Sequence, residues 1–176
     1  MTRAAAREIA VQLCFASSGR AGNVDEALDS FFEKEYYATL GGVAEGFADY
    51  PNGKQQEYIR GVVRGVSERL EEIDGYIERF ARGWKVSRIS KTALAVLRVA
   101  IYEILYVSDV PGGVAISEAV ELAKGYDVPE TVSFINGVLG SFIRALNEPA
   151  PLEEAGENEA QTDAEPEQPV VSATEE

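Results

Sequence analysis

The sequence contains no histidine and a single cysteine, Cys14. Without histidine there is no Ser-His-Asp or Cys-His nucleophile system and no zinc site that requires imidazole. One cysteine cannot form an intrachain disulfide or a cysteine-rich metal cluster, so the composition fits a reducing compartment. Ser117 or Ser133 beside Glu118 or Glu130 is weak evidence for a nucleophile and its base. We therefore expect no enzymatic activity and no cofactor.

Long hydrophobic runs are also missing. The most apolar window, LAVLRVAIYEILYV at 94–107, contains Arg98 and Glu103 and is shorter than the roughly 20 residues of a membrane-spanning helix. Near the N-terminus, Arg7 and Glu8 interrupt any apolar stretch before a signal-peptide core of about 7–15 residues is reached. We therefore expect a cytoplasmic protein without membrane contacts.

Positive charge is scarce, since 16 Lys and Arg stand against 30 Asp and Glu, for a net charge of −14. Ten of the acids lie in residues 148–176, where there is no Lys or Arg, and this leaves residues 1–147 with a net charge of −4. The segment 148–176 has almost no large apolar residue to offset the entropy cost of ordering. It predicts a disordered acidic tail, which we expect to be a solvated appendage, with an electrostatic competitor or solubiliser as the alternative.

Apolar residues at helical spacing run along most of residues 1–147 and predict an all-α protein of six or seven helices. Thr2 and Asn23 are placed to cap the first two helices. Glycine, proline and asparagine interrupt the region 38–53, which predicts a loop with at most one helical turn, around Val43–Phe47. Short connections between the other helices favour antiparallel neighbours packed in bundles.

Glycines inside the helical patterns predict close helix contacts. Gly61 and Gly65 lie four residues apart in the long pattern 58–83, where they favour the close approach of a neighbouring helix. We expect that long helix to bend near residues 71–72. In the last helix, Asn136-Gly137 is best explained by a buried asparagine that bonds a neighbouring helix, which the glycine admits; a ligand contact is the alternative.

The last helix has a clear start signal. Asp127 is placed as its N-cap, Pro129 lies in the first turn, and Glu130 takes the capping-box position.

Four strings in the chain form a recognisable set: AREIAVQLCFA at 6–16, YIRGVVRGVSERLEEIDGYIERFARGWKVSRIS at 58–90, VLRVAIYEILYVSDVPGGVAISEAVELAKGY at 96–126 and FINGVLG at 134–140. Together they resemble the NusB family of bacterial transcription antitermination factors. The last two strings are the more specific, and the resemblance covers most of residues 3–146. It implies an all-α fold of two packed helical bundles, here an N-terminal subdomain, 1–83, and a C-terminal bundle, 84–147.

The resemblance also implies a function. Members of the family bind the boxA element of nascent ribosomal RNA transcripts together with the small-subunit ribosomal protein NusE. That heterodimer joins other Nus factors on RNA polymerase and supports antitermination and ribosomal RNA maturation. A homodimer is a further possibility, in which the second copy would bury the first helix with its arginines and so compete with RNA.

Site residues follow from the same resemblance. The residues that match RNA-facing positions lie on the first helix and around the start of the last: Arg3, Arg7, Gln12, Lys124, Tyr126, Glu130 and Phe134. Those assigned to partner contacts are Phe15, Arg98 and Glu118. Backbone N–H groups at the start of the last helix would receive phosphate, and aromatic rings there would stack on a base. Asn136 and Gly137 would then support this patch.

Departures from the family pattern keep other functions open. Ala4, Ala5 and Ala6 stand where relatives carry basic residues, Ser133 where a lysine is common, and Ala93 where an acid is common. They predict weaker RNA affinity, a flatter salt dependence and greater reliance on NusE. One alternative is a protein-only helical adaptor that has lost RNA binding. Another alternative is a module of a ribosomal RNA methyltransferase. We rank it last because the chain has no glycine-rich cofactor motif.

Overall fold

The structure is a computed structural model that describes residues 1–17, 23–42 and 47–148. Within them the chain forms α-helices, one short 3₁₀ helix and no strand, which confirms the all-α prediction. The eight α-helices are α1 (Arg3–Ser17), α2 (Val24–Phe31), α3 (Lys34–Leu40), α4 (Gly53–Glu68), α5 (Leu70–Phe80), α6 (Lys91–Tyr106), α7 (Gly112–Lys124) and α8 (Pro129–Asn147). The tail prediction, from residue 149 onward, and most of the turn predicted around Val43–Phe47 lie outside the described residues.

Local signals set most of the helix starts. The Thr2 hydroxyl accepts a backbone hydrogen bond in the first turn of α1, and the Asn23 side chain does the same for α2, both as predicted. Pro129 occupies the first position of α8, also as predicted. The predicted capping box of α8 is wrong, because its N-cap residue is Val128 and makes no side-chain cap bond. Asp127 instead accepts from the Val128 N–H at 3.0 Å.

Helix α6 is the centre of the fold. It contacts α1, α4, α5, α7 and α8, and its residues Ala93–Ala100 are all buried. The buried apolar side chains of these helices form one continuous cluster. Because α6 lies against both α1 and the α7–α8 pair, it sets the position of the first helix relative to the last two. The predicted boundary between 1–83 and 84–147 falls between α5 and α6, and the division into subdomains stays a prediction.

The glycines of α4 behave differently from one another. A Cβ added to Gly65 would lie 2.2 Å from the ring of Tyr102 on α6, so this glycine admits a neighbouring helix. A Cβ on Gly61 would meet nothing within 4 Å. The close contact predicted for both residues is therefore right for Gly65 only. The predicted bend occurs at Arg69, where φ is −113°, rather than at residues 71–72.

The Asn136-Gly137 pair lies on the exposed side of α8. A Cβ added to Gly137 would meet nothing within 4 Å, so no helix is admitted there. The prediction of a buried asparagine beside an admitted helix is wrong. The exposed location of the pair is compatible with the alternative prediction, a contact with a ligand.

Candidate nucleic-acid interface

Arg7 is buried where α1, α6 and α7 meet. Its side chain is 4% exposed, and its Nε and one Nη donate to the two carboxylate oxygens of Glu103 at 2.8 and 3.0 Å. The other Nη donates to Glu118 at 2.8 Å, and the Tyr58 hydroxyl donates to Glu103 at 2.6 Å. The structure thus places Arg7 in a network that joins helices and takes it out of the surface that RNA would reach.

This network favours a charged Arg7 and a neutral Tyr58. Burial lowers the pKa of Arg7, but the hydrogen bond and the negative charge of Glu103 outweigh it, so the net shift is upward. Burial raises the pKa of Tyr58, and the nearby Glu103 raises it further, so the hydroxyl stays a donor. Sequence reasoning missed Tyr58 and Glu103. The available signal was the single carboxylate of the strongly apolar window 94–107, where Arg98 is the only other charge. A carboxylate in such a helix requires a buried partner.

Arg3 lies at the exposed edge of the same network. Its guanidinium is 4.0 Å from the centroid of the Tyr58 ring and donates to Asp109 at 3.1 Å. Its side chain is 42% exposed, and such surface ion pairs contribute little to stability. Arg3 can therefore exchange Asp109 for another anion at small cost.

Tyr126 connects the turn between α7 and α8 to the first helix. Its hydroxyl donates to Glu8 and accepts from the amide nitrogen of Gln12 at 2.9 Å. Burial raises the pKa of Tyr126, and the bond to Glu8 raises it further while the bond to Gln12 opposes the shift. The ring remains 47% exposed. Gln12 and Tyr126, both predicted to face RNA, are therefore brought together.

A cavity of about 330 Å³ opens between α1, the start of α6 and the α7–α8 turn. Its walls are mostly apolar, and the exposed rings of Phe15 and Tyr126 stand among them. Its lining residues are Val11, Gln12, Phe15, Thr92, Ala95 and Tyr126. The volume lies at the small end of the range for small-molecule sites, roughly 300–1,000 Å³. A flat ring with polar edges, such as a nucleobase, matches this lining.

The remaining predicted RNA residues lie nearby with partners of their own. Phe134 on α8 is half-buried, and its ring centroid lies 5.5 Å from that of Trp84. Lys124 is exposed and pairs with Glu121 at 2.8 Å. Glu130 is exposed in the first turn of α8. Across the described ranges, no hydrogen bond joins these side chains to α1, so the structure does not bring them together with Gln12 as it does Tyr126.

The predicted partner residues occupy three different settings. Phe15 is 45% exposed beside the cavity. Glu118 holds Arg7 and keeps 39% of its side chain exposed. Arg98 is buried and donates twice to Asp74 on α5, each time at 2.8 Å. Arg98 therefore links α6 to α5 through an ion pair, whereas the side chains of Phe15 and Glu118 remain partly exposed and accessible to a partner.

Exposed positive charge is concentrated in residues 79–91, the end of α5 through the start of α6, which we call the basic connection. It contains five basic residues and no Asp or Glu, and all five are exposed: Arg79, Arg82, Lys85, Arg88 and Lys91. None of them forms an ion pair within residues 1–17, 23–42 and 47–148. Sequence reasoning missed this segment, although the lack of acids between Glu78 and Glu103 is visible in the sequence.

The described residues offer neither a metal-binding cluster nor a membrane-spanning helix. No cluster of three or more Cys, Asp or Glu residues that could hold a metal ion occurs among the described residues. None of the helices described there is both long and apolar enough to cross a membrane.

Together these features define an all-α protein with an aromatic cavity on its first helix and a basic connection beside it. The sequence model of the NusB family matches residues 4–144. That match spans most of the chain, and the chain therefore belongs to the NusB family.

Individual proteins of known name are similar in sequence to most of this chain. The transcription antitermination protein NusB of Acetivibrio thermocellus is 44% identical over 144 residues, which is 82% of this chain and 90% of the relative. The protein of the same name from Clostridium acetobutylicum is 36% identical over 148 residues, covering 84% of this chain and 99% of the relative.

Solved structures share the fold. NusB of T. maritima superposes with a TM-score of 0.67 at 28% identity, over 82% of this chain and 92% of that one. A chain from a crystal structure of antitermination factors NusB and NusE in complex with dsRNA gives a TM-score of 0.63 at 22% identity, over 81% and 96% of the two chains. At that identity the second likeness shows the fold alone.

Proposed function

We propose that this protein is a transcription antitermination factor that binds boxA-type single-stranded RNA together with the ribosomal protein NusE. The observation that carries the proposal is membership of the NusB family over residues 4–144, because similar proteins bear the name transcription antitermination protein. In this role it acts without catalysis, in the cytoplasm, on nascent ribosomal RNA. Other Nus factors and RNA polymerase complete the complex, which supports ribosomal RNA transcription and maturation.

The aromatic cavity supports RNA as the ligand. Single-stranded RNA is recognised mainly through unstacked bases that lie on aromatic side chains and bond polar groups with their edges. The exposed rings of Phe15 and Tyr126 and the amide of Gln12 supply both elements within one cavity. Arg3 supplies a cation at the N-terminal end of the same helix.

NusE is proposed as the second partner because the chain itself is a poor electrostatic match for RNA. Its net charge is −14, and the cations of Arg3 and Lys124 already face carboxylates. A partner that adds its own RNA contacts would compensate for this. The exposed part of Glu118 is the proposed contact point. Phe15, which the family resemblance assigned to partner contacts, is proposed to face RNA in the cavity instead.

The test is a titration of fluorescently labelled boxA-like RNA with the full chain, alone and with NusE, at two salt concentrations. Phe15→Ala and Tyr126→Ala are each expected to weaken binding by about 1–3 kcal/mol, the contribution of one stacked base. Tyr36→Ala, which removes an exposed ring on α3, serves as the matched control and should leave binding unchanged. Far-UV circular dichroism checks that each variant is folded.

A protein-only adaptor is the second candidate function. It is favoured by the burial of Arg7, which removes one predicted cation from the RNA surface, and by the carboxylates that already face Arg3 and Lys124. Binding of NusE without any RNA binding, alone or in the complex, would select this candidate over the first.

A further inference from the structure

We infer that the basic connection, residues 79–91, is a phosphate-binding surface for single-stranded RNA, with Trp84 as its stacking platform. This inference rests on the proposed function and extends it to a surface outside the predicted site residues. It starts from the locations of the cations. The arginines and the lysine of the predicted site are buried or ion-paired, whereas those of the basic connection are exposed and have no ion pair within the described ranges.

The basic connection lies directly beside the cavity. Ser90 donates to a carboxylate oxygen of Asp127 at 3.3 Å, which ties the connection to the turn that carries Tyr126. Thr92, the second residue of α6, lines the cavity itself. An RNA strand with one base in the cavity therefore has a neighbouring phosphate close to the end of the basic connection that carries Arg88 and Lys91.

The segment itself contributes no negative charge that would oppose a phosphate, because it contains no acid. Asp127 beside it keeps its charge, but Ser90 and the Val128 N–H hold its two carboxylate oxygens in place. Glu130 in the first turn of α8 is a second exposed acid. Each phosphate neutralised by a lysine or arginine releases counterions, which makes such contacts effective even on a protein that is acidic as a whole.

Trp84 supplies the aromatic element that single-strand binding needs. It is 54% exposed, and its other side packs on Phe134, a predicted RNA residue. The left-handed backbone of Gly83, with φ at +86°, precedes it, and the buried Ala81 and Ile89 hold the segment to the core on either side. An exposed ring on a fixed segment, among cations, matches the stacking platforms of single-strand binding proteins.

The surface is tested with the full chain and a 20-nucleotide RNA that extends a boxA-like sequence on both sides. Trp84 is the only tryptophan, so its fluorescence reports directly on this surface. We expect RNA to quench it with the same midpoint that fluorescence anisotropy of labelled RNA gives. Trp84→Phe should keep most of the affinity, and Trp84→Ala should lose about fivefold or more.

Charge removal tests the phosphate contacts. In the triple variant Lys85→Ala/Arg88→Ala/Lys91→Ala we expect binding about tenfold or more weaker at 0.1 M salt. The slope of log K against log salt should fall by about 2, since each lost contact to a single strand lowers it by about 0.7. The matched control Lys34→Ala/Lys54→Ala/Arg144→Ala removes three exposed cations elsewhere and should keep the wild-type slope.

The outcomes separate this inference from the proposed function. Wild-type RNA binding that is unchanged in affinity and slope in the triple variant overturns the inference and leaves the proposed function standing. An absence of RNA binding by the wild type, alone and with NusE, overturns both. If the triple variant keeps its RNA affinity but no longer binds NusE, the basic connection is a contact surface for NusE and the inference is wrong.

Discussion

The surroundings of Arg7 in the fold give it a structural role that its position in the sequence did not predict. Its spacing from Arg3 places both on one side of a helix, but α1 is buried along a stripe that includes Ala6 and Ala10, and Arg7 lies at the edge of that stripe. A guanidinium there needs carboxylate acceptors, and α6 and α7 each provide one. Its burial is therefore coupled to the packing of α1 against the C-terminal helices.

We expect Arg7→Ala to destabilise the fold by about 3–5 kcal/mol, because it leaves the fully buried Glu103 with Tyr58 as its remaining partner. Arg3→Ala, which breaks an exposed pair, should cost at most about 1 kcal/mol. Urea unfolding followed by circular dichroism measures both. Equal stability of the Arg7→Ala variant and the wild type would contradict the structural role assigned to the network.

Cys14 offers a second test at the residue scale. Burial raises the pKa of its thiol from 9.0 to about 12, although Arg98 opposes the shift. Because the thiolate is the reactive form, labelling by iodoacetamide at pH 8 should be slow in the folded protein and fast in urea. Rapid labelling without denaturant would contradict the burial of this side chain.

The same shift predicts a loss of stability at alkaline pH. Between pH 9 and 12 the folded state keeps a thiol proton that the unfolded state has lost, so the free energy of unfolding falls as pH rises. A Cys14→Ala variant should lose about 1 kcal/mol less than the wild type between pH 9 and pH 10. Parallel urea unfolding at these two pH values checks this, and equal losses would contradict it.

At the scale of elements, α4 carries a matched pair of glycines one helical turn apart. Gly61→Ala adds a methyl group to open space and should stabilise the helix by up to about 1 kcal/mol. Gly65→Ala should be less stable than Gly61→Ala, because the Tyr102 ring must leave its contact with α4. Thermal unfolding of the two variants gives the comparison. The reverse order would show that Tyr102 is not held against α4.

Some helices were predictable from the sequence and others were not, and the difference has physical causes. Periodicity predicted α1, α7 and α8 because each buries one apolar stripe, which the 3.6-residue repeat reveals. The sequence also predicted α6, although Ala93–Ala100 of this helix are buried on every side. Periodicity merged α4 with α5, since their stripes continue across Arg69 and only the backbone turns there. Side-chain partners between helices, such as Arg7 with Glu103, have no local signature. The cavity itself was not predicted: Gln12, Phe15 and Tyr126 were named as site residues from a family resemblance, and Thr92 and Ala95 depend on how α6 packs.

For the whole molecule, the distribution of charge matters more than its sum. The net charge of −14 opposes any nucleic acid, yet residues 79–102 contain no Asp or Glu. Repulsion from distant acids is screened over about 10 Å at 0.1 M salt, whereas a direct phosphate contact persists. An acidic chain can therefore hold RNA on a local basic surface while its overall charge slows the approach.

Deleting residues 149–176 separates these two effects. The deletion removes nine acids and no base, which changes the net charge from −14 to −5. We expect faster RNA association at 0.02 M salt, on the order of several-fold, with an unchanged dissociation rate, because long-range repulsion acts on the encounter and not on the bound contacts. Stopped-flow mixing with labelled RNA measures both rates. At about 0.5 M salt, where screening is nearly complete, the two proteins should associate at equal rates. Equal rates already at 0.02 M would mean that these residues are a solvated appendage without electrostatic influence on RNA.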